Sequence, residues 1–334
     1  MQPTDIRDPN YFHKVVDCQW ACPAHTPVPE YIRLIAAGRY ADAYMVNWKS
    51  NVFPGILGRT CDRPCEPACR RGRVEENNGE NPEPVAICRL KRVAADNKGD
   101  VQARMPKPAA ARNGKRIACI GAGPASLTVA RDLAPLGYDV TVFEADPKGG
   151  GFMRTQVPRF RLPESVIDEE VGYALRLGAE FRAGQRIDSM KDLLAQGFDA
   201  VFVGTGAGYP SFMGIPGESL GGVLSANEWL TRCNLMHGRD FPNYDTPLQP
   251  GRRVTVIGAG NTAMDAMRVS LRVGAERVTC VYRRSAAEAP ARAEEIHHAQ
   301  QEGIVFEWLT SPLELLGDAQ HNVRAMRDRK STRL

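Results

Sequence analysis

Long apolar runs are what this sequence most lacks. None approaches the roughly 18 residues that a membrane-spanning helix needs. The opening MQPTDIRDPNYFHK is polar and has no apolar stretch of the secretory-signal kind, so a cytoplasmic location is expected. Net charge is scarce as well. A balance of +4 over 334 residues leaves neither the basic footprint of a nucleic-acid binder nor a polybasic membrane patch. Short-period repeats and low-complexity tracts are absent too. What remains, 43% apolar and 25% charged residues, is the composition of an ordinary globular protein. The length allows two or three domains, each with its own core.

Cysteine is present and unevenly spread. Of nine, Cys18, Cys22, Cys61, Cys65, Cys69 and Cys88 fall early, while Cys119, Cys233 and Cys280 are scattered. In a reducing compartment clustered cysteines are read as metal ligands before disulfides. Cys119 and Cys280 lie in the strand-like runs RIACIG and RVTCVY, where a thiol serves as a small buried hydrophobe. Residues 1–108 hold half of the prolines and no clear strand pattern. Pro29 to Trp48 spaces apolar residues three and four apart, as a helix or helix pair does. The polar stretch DNKGDVQARMPKPAAARNGK that follows reads as a linker.

From Arg116 the pattern alternates strand and helix, and the same series restarts at Arg253, which implies parallel sheets covered by helices. The expected organisation is α/β: a helical cysteine domain over 1–108, then two Rossmann-like dinucleotide-binding domains over 109–250 and 251–334. In the first, the turn Gly121-Ala122-Gly123-Pro124-Ala125-Ser126 ends a strand and opens a helix, where free amides and the helix dipole favour a pyrophosphate. Ser126 replaces the third glycine with another small residue. Glu144 ends the second strand, at the place where an acid accepts from a ribose hydroxyl. Beyond it, Gly149, Gly150 and Gly151 let backbone pass close to a flat ring, and PRFRLP, with Arg161, follows.

In the second copy, Gly258-Ala259-Gly260-Asn261-Thr262-Ala263 repeats the turn, but the second strand ends in Val281-Tyr282-Arg283-Arg284-Ser285. No acid is there for an unmodified ribose. Two guanidiniums, with Arg292 one loop further on, suit a 2′-phosphate through forked, charge-assisted hydrogen bonds. The first site thus suits FAD and the second NADPH. Two such sites in one chain point to hydride transfer from nicotinamide to flavin, which requires no side-chain acid or base, so no catalytic residue is named. His297 and His298, on a helix with Glu294 and Glu295, read as a solvated face.

The cysteine motifs are Cys18-Gln19-Trp20-Ala21-Cys22-Pro23 and Cys61-Asp62-Arg63-Pro64-Cys65-Glu66-Pro67-Ala68-Cys69. Proline after a short cysteine spacing is a feature of ferredoxin-like ligation. A zinc site is the competing reading, although paired CxxC spacings are missing. A zinc-stapled nucleotide-binding module without redox chemistry therefore stays open beside an iron–sulfur oxidoreductase.

With CQWACPAH, LGRTCDRPCEPACRRG, GAGPASL, PRFRLP, GAGNTAMD and VYRR in view, the chain resembles the NADPH-dependent glutamate synthase small-subunit family, to which the flavin-bearing half of dihydropyrimidine dehydrogenase is related. The resemblance implies that electrons pass from NADPH through FAD to a 4Fe-4S cluster, and then to a larger catalytic subunit or ferredoxin-type acceptor. It implies cluster ligation by Cys22, Cys61, Cys65 and Cys69, with Cys18 at a further ligand position and Cys88 near the place of an unusual last ligand. Pyrimidine reduction or ferredoxin reduction are the alternative outlets. The family carries an extra CxxC before Cys18 where this chain has FHKVVD, so one cluster is expected and a second left open. The family also returns after its NADPH domain to complete the FAD domain. Here the tail RDRKSTRL looks unlike an element ending, and a C-terminally truncated product with an atypical tail, binding FAD poorly, is the expectation.

Overall fold

The computed structural model describes residues 16–73, 83–248 and 251–331; most of the FHKVVD segment lies outside them. The chain divides into two compact units, Met1–Gly150 with Arg161–Gly204, and Gly151–Phe160 with Thr205–Leu334.

Among the described residues, the helical part of the first unit comprises α1 (Asp17–Ala21), α2 (Val28–Ala36), α3 (Tyr40–Ser50), α4 (Pro54–Thr60) and α5 (Ile87–Asp96). The apolar spacing between Pro29 and Trp48 resolves into the pair α2–α3. The break falls at Gly38, whose φ of +70° ends α2 in the left-handed conformation that glycine adopts without strain. Helix α2 buries Val28, Tyr31 and Leu34, one stripe at helical spacing. They join Ala43, Ile87 and Ala94 in a core that also takes in Cys65 and Cys88, with Cys18 and Cys61 packed against it. Helices α4 and α5 cross closely, because a Cβ on Gly58 would stand 2.8 Å from the Arg92 backbone nitrogen.

The stretch that reads as a linker is not free of the core. Within it, Val101 and Met105 are buried with Tyr44, Trp48, Tyr173 and Leu177. Apolar area so removed from water is worth about 25 cal/mol per Å², which ties the segment to the core. This cluster joins the helices to a parallel sheet of order β3–β2–β1–β4, with β1 (Arg116–Ile120), β2 (Asp139–Phe143), β3 (Glu180–Arg182) and β4 (Ala200–Val203). Helices α6 (Pro124–Leu133), α8 (Glu164–Leu175) and α9 (Met190–Ala195) connect them, and α7 (Phe152–Thr155) belongs to the second unit. Successive β1 residues face opposite ways. Cys119 joins Ala130, Val140 and Val142 on one face, and Ala118 and Ile120 join Phe143, Leu193 and Phe198 on the other. Both faces are covered, as βαβ crossovers demand.

The second unit holds α10 (Ala226–Asn234) and a parallel sheet β5–β6–β7, from β5 (Arg253–Ile257), β6 (Arg277–Val281) and β7 (Val305–Glu307), with α11 (Asn261–Arg272) and α12 (Ala293–Gln301) between strands. Its core is Met264, Met267, Val278, Cys280, Ala299 and Ile304 with their neighbours. Cys119 and Cys280 are buried as expected, and burial pushes their thiols up to about 11 and about 12. Part of the charged tail is an element after all. Val323–Lys330 forms β9 and pairs antiparallel with β8 (Thr310–Gly317), Leu315 facing Met326. The exposed charges of Arg324 and of the run Arg327–Lys330 keep the hairpin wet, and Arg327 reaches Glu314 at 3.0 Å.

Candidate functional site

Three sites take shape, two of them built on strand ends. At the first glycine turn the Gly121 amide donates to the Phe143 carbonyl (2.8 Å), so the turn is hung from the end of β2. Its φ of +89° is one that L side chains rarely adopt. Gly123 stands just before α6, and a Cβ there would meet nothing nearer than the Gly204 carbonyl oxygen at 4.0 Å. The helix N-terminus is therefore approached by backbone alone. Pro124 occupies its first turn, where a missing N–H costs nothing. Ser126 is fully buried, and a Cβ on Gly204 would lie 2.1 Å from its Oγ. The serine thus packs directly against the end of β4, and Gly204 is a residue that sequence reasoning missed. The GTG run beginning there was the available signal.

Glu144 is 9% exposed. One of its carboxylate oxygens accepts from the Ala122 amide (2.7 Å) and the other from Asp146 (3.1 Å), so the acid stands at the glycine turn. Burial, then the Glu144 charge, raises the Asp146 carboxyl above its usual range. The Gly150 amide donates to the Ala122 carbonyl at 2.8 Å, which folds the glycine-rich loop onto the same turn. Gly151 and α7 fall in the second unit, and Arg161 is half-buried where the chain re-enters the first.

The second glycine turn repeats this construction. The Gly258 amide donates to the Val281 carbonyl (2.9 Å), and a Cβ on Gly260 would find only Pro290 at 4.0 Å. Asn261 and Thr262 open α11, and Asn261 Oδ1 accepts from the Arg292 amide (3.1 Å). Arg283 and Arg284 are exposed at the end of β6. Ser285 and Arg292 are committed elsewhere. The Ser285 hydroxyl bonds Glu288 at 3.1 Å, and the Arg292 side chain, 8% exposed, pairs with Glu295. Glu295 is buried and pairs with Arg268 as well (2.8 Å). The Glu294–His298 run is thus not wholly a solvated face: helical spacing turns Glu295 inward while His297 stays exposed.

The third site is the cysteine core. Tyr31, whose hydroxyl donates to the Ile87 carbonyl (3.2 Å), is pushed far above the usual phenol range by burial and by the neighbouring Cys65, Cys88, Cys18 and Cys22. One tyrosine therefore marks where four of the thiols converge. Its hydrogen bond with Cys88, then burial, drives the Cys61 thiol far up. The Cys61 bond pulls Cys88 down, but the Cys65 thiol and burial outweigh it and leave Cys88 pushed up to about 12. Burial and then Cys69 raise Cys18. Local bonds hold the thiols in place: Cys22 donates to Thr26 (3.5 Å), Asn51 donates to Thr26 (3.1 Å), and the Arg63 amide donates to Cys61 Sγ (3.3 Å).

All six early cysteines therefore gather in one module, on and just after α1, in the loop that follows α4, and on α5. Among the described residues no three His, Cys, Asp or Glu side chains converge tightly enough for a single ion. A cubane presents four iron corners to four separated thiolates, and an all-thiol donor set suits it, with Cys65, Cys69 and Cys88 buried and Cys61 Sγ accepting from an amide. Also among the described residues, no helix is long and apolar enough to cross a membrane.

Comparison with known proteins agrees with this geometry. Residues 115–333 match the pyridine nucleotide-disulphide oxidoreductase family, and residues 12–103 match the family described as dihydropyrimidine dehydrogenase domain II, 4Fe-4S cluster. The chain is 36% identical to the NADP(+)-dependent formate dehydrogenase subunit beta of Moorella thermoacetica, over 92% of its own length and 45% of that protein's. It is 33% identical to the small chain of the NADPH glutamate synthase of Escherichia coli strain K12, covering 89% and 62%. The chain thus spans about half the length of the curated relatives it matches. In fold it is similar to a solved 2-naphthoyl-CoA reductase complex, with a TM-score of 0.53, 18% identity, and coverage of 89% and 43%.

Proposed function

Because the chain belongs to the pyridine nucleotide-disulphide oxidoreductase family, in its glutamate synthase small-subunit-like group, we propose that it is the electron-input part of an NADPH-oxidising flavin and iron–sulfur enzyme. The observation that carries the reading is the contrast between the two glycine turns. One is closed by a buried acid, Glu144, and the other by exposed Arg283 and Arg284. The acid fits the free ribose of FAD, and the arginines fit the 2′-phosphate of NADPH.

Bound FAD would supply a centre that accepts two electrons together and releases them singly to an iron–sulfur cluster. The chain's own residues bind and orient. Gly121, Gly123, Pro124 and the α6 amides would hold the flavin nucleotide's pyrophosphate, and Gly150 and Gly151 would bring no side chain against its ring. Gly258, Gly260, Asn261 and Thr262 do the same for the nicotinamide dinucleotide, with Arg292 serving through its amide to Asn261. Cysteines from the set of Cys18, Cys22, Cys61, Cys65, Cys69 and Cys88 would hold one 4Fe-4S cluster. The outlet for electrons would be a larger catalytic subunit or a ferredoxin-type acceptor. That the relatives above are named as a beta subunit and a small chain supports such a partner.

The test is the absorbance spectrum of anaerobically purified protein before and after NADPH. Flavin bands on a broad brown background, bleached by NADPH and much less by NADH, are expected. Colourless, zinc-containing protein would refute the reading. In the double variant Arg283→Ala/Arg284→Ala, KM for NADPH should rise roughly ten- to a hundredfold with KM for NADH unchanged, the cost of losing charge-assisted bonds to one phosphate.

A further inference from the structure

Helix α5 buries Ile87, Cys88, Lys91, Ala94 and Ala95 along one stripe. Four of these positions hold what such a stripe asks for, and the fifth holds a lysine that is 5% exposed. Lysine is almost never this buried without a partner. Among the described residues Lys91 has no carboxylate partner and no hydrogen bond. Its charge acts instead on Cys61 and Cys88, in each case favouring the thiolate. The helix itself explains the direction: Cys88 and Lys91 are three residues apart and so lie on one face, with Cβ atoms about 5–6 Å apart. An ammonium buried in this way needs an anion, and thiols in their neutral form do not provide one.

We propose that Lys91 is the internal counter-charge of the iron–sulfur cluster and sets its reduction potential. The proposal rests on the reading that the cysteine core holds a cluster. A cubane bound by thiolates is a net anion and becomes more negative on accepting an electron. A fixed positive charge beside it therefore stabilises the reduced form more than the oxidised form and raises the potential. It also resolves the energetics of the lysine, whose desolvation is offset only when that anion is in place. The charge of Lys91 falls on the thiols of the cysteine core, so its role is to tune the acceptor.

The experiment compares anaerobically prepared full-length wild type, Lys91→Met and Lys91→Arg by iron content, flavin content, and EPR-monitored potentiometric titration of the cluster. Methionine keeps the length and volume of the side chain and removes its charge; arginine keeps the charge. In Lys91→Met the one-electron reduction equilibrium should become roughly ten- to a hundredfold less favourable, a fall of about 60–120 mV, while Lys91→Arg stays within about threefold of wild type. Loss of iron in Lys91→Met with full iron in Lys91→Arg would support the proposal equally. An unchanged potential in fully loaded Lys91→Met overturns it, and so does loss of iron in both variants, because charge would then not be what matters. Wild-type protein without iron would instead refute the underlying reading, an outcome that the iron assay separates from the others.

Discussion

Glu170 shows how much one side chain can decide. It lies on α8, in the sheet-bearing part of the first unit, and is 1% exposed. Its Oε1 accepts from the Tyr44 hydroxyl (2.9 Å) and the Gly55 amide (2.7 Å), and its Oε2 accepts from the Ile56 amide (3.0 Å). Those amides open α4, the helix that runs straight into Cys61. Burial raises the carboxyl to about 7, and the two amides, Tyr44 and Lys98 only partly pull it back. The other charged or titratable neighbours are Glu169, which holds Lys98 at 2.8 Å, and Tyr173, whose hydroxyl donates to Glu169. A folded-state value above the unfolded one means that the native state holds the proton more tightly. Glu170 therefore favours folding below the ordinary carboxyl range, and that contribution is lost as pH rises through about 7. Between pH 5 and pH 8 the first unit should lose on the order of 1–3 kcal/mol from this group. Glu170→Gln should flatten the difference. Urea midpoints at the two pH values check it, and an equal slope in the variant would refute it.

At the scale of elements, the cysteine module depends on how closely α4 and α5 approach. Both carry or lead into cysteines, Cys61 at the end of α4 and Cys88 in the first turn of α5, so their crossing sets the spacing of the thiols. Gly58 permits it. In Gly58→Ala the new Cβ would meet Arg92 backbone at 2.8 Å and 2.9 Å, and backbone, unlike the end of a side chain, cannot swing away. We expect about 1–3 kcal/mol of destabilisation, typical of overpacking, together with reduced iron content, measured by thermal unfolding and iron assay. A variant as stable and as iron-rich as wild type would show that the helices separate freely. Much of this level was legible in the sequence. The α2–α3 pair, both βαβ starts and the two glycine turns follow from periodicity and turn chemistry. The buried part of the supposed linker was not legible, because Val101 and Met105, set among alanines, prolines and charged residues, carry no period. Nor was β9, whose charged residues belong to an exposed hairpin and give no apolar alternation.

On the scale of the whole molecule, the cysteine helices and the first sheet form one unit, through the cluster around Tyr44, Trp48 and Tyr173, and the second dinucleotide fold belongs to another. Iron removal should therefore act unevenly. The thiols are part of the core around Tyr31 and Leu34, so chelation should leave that core with uncompensated space and charge. Hydrogen exchange is expected to accelerate by tenfold or more in residues 16–73 and 87–96, while residues 253–307 keep their protection. Uniform acceleration across both units would contradict this division.

The sequence by itself determined the local chemistry. Glycines at strand ends, an acid after one second strand and arginines after the other, and six early cysteines imply their ligands because each depends on residue type and short spacing. Only the tertiary structure decided which of those residues are available. It left Arg283 and Arg284 exposed while committing Arg292 to Glu295, and it drew Cys88 into the thiol core beside Cys61. It also buried Lys91 and Glu170, charged residues whose type by itself suits a wet surface. The reason is that burial and ion pairing are made by segments far apart in the chain, and no local period records them.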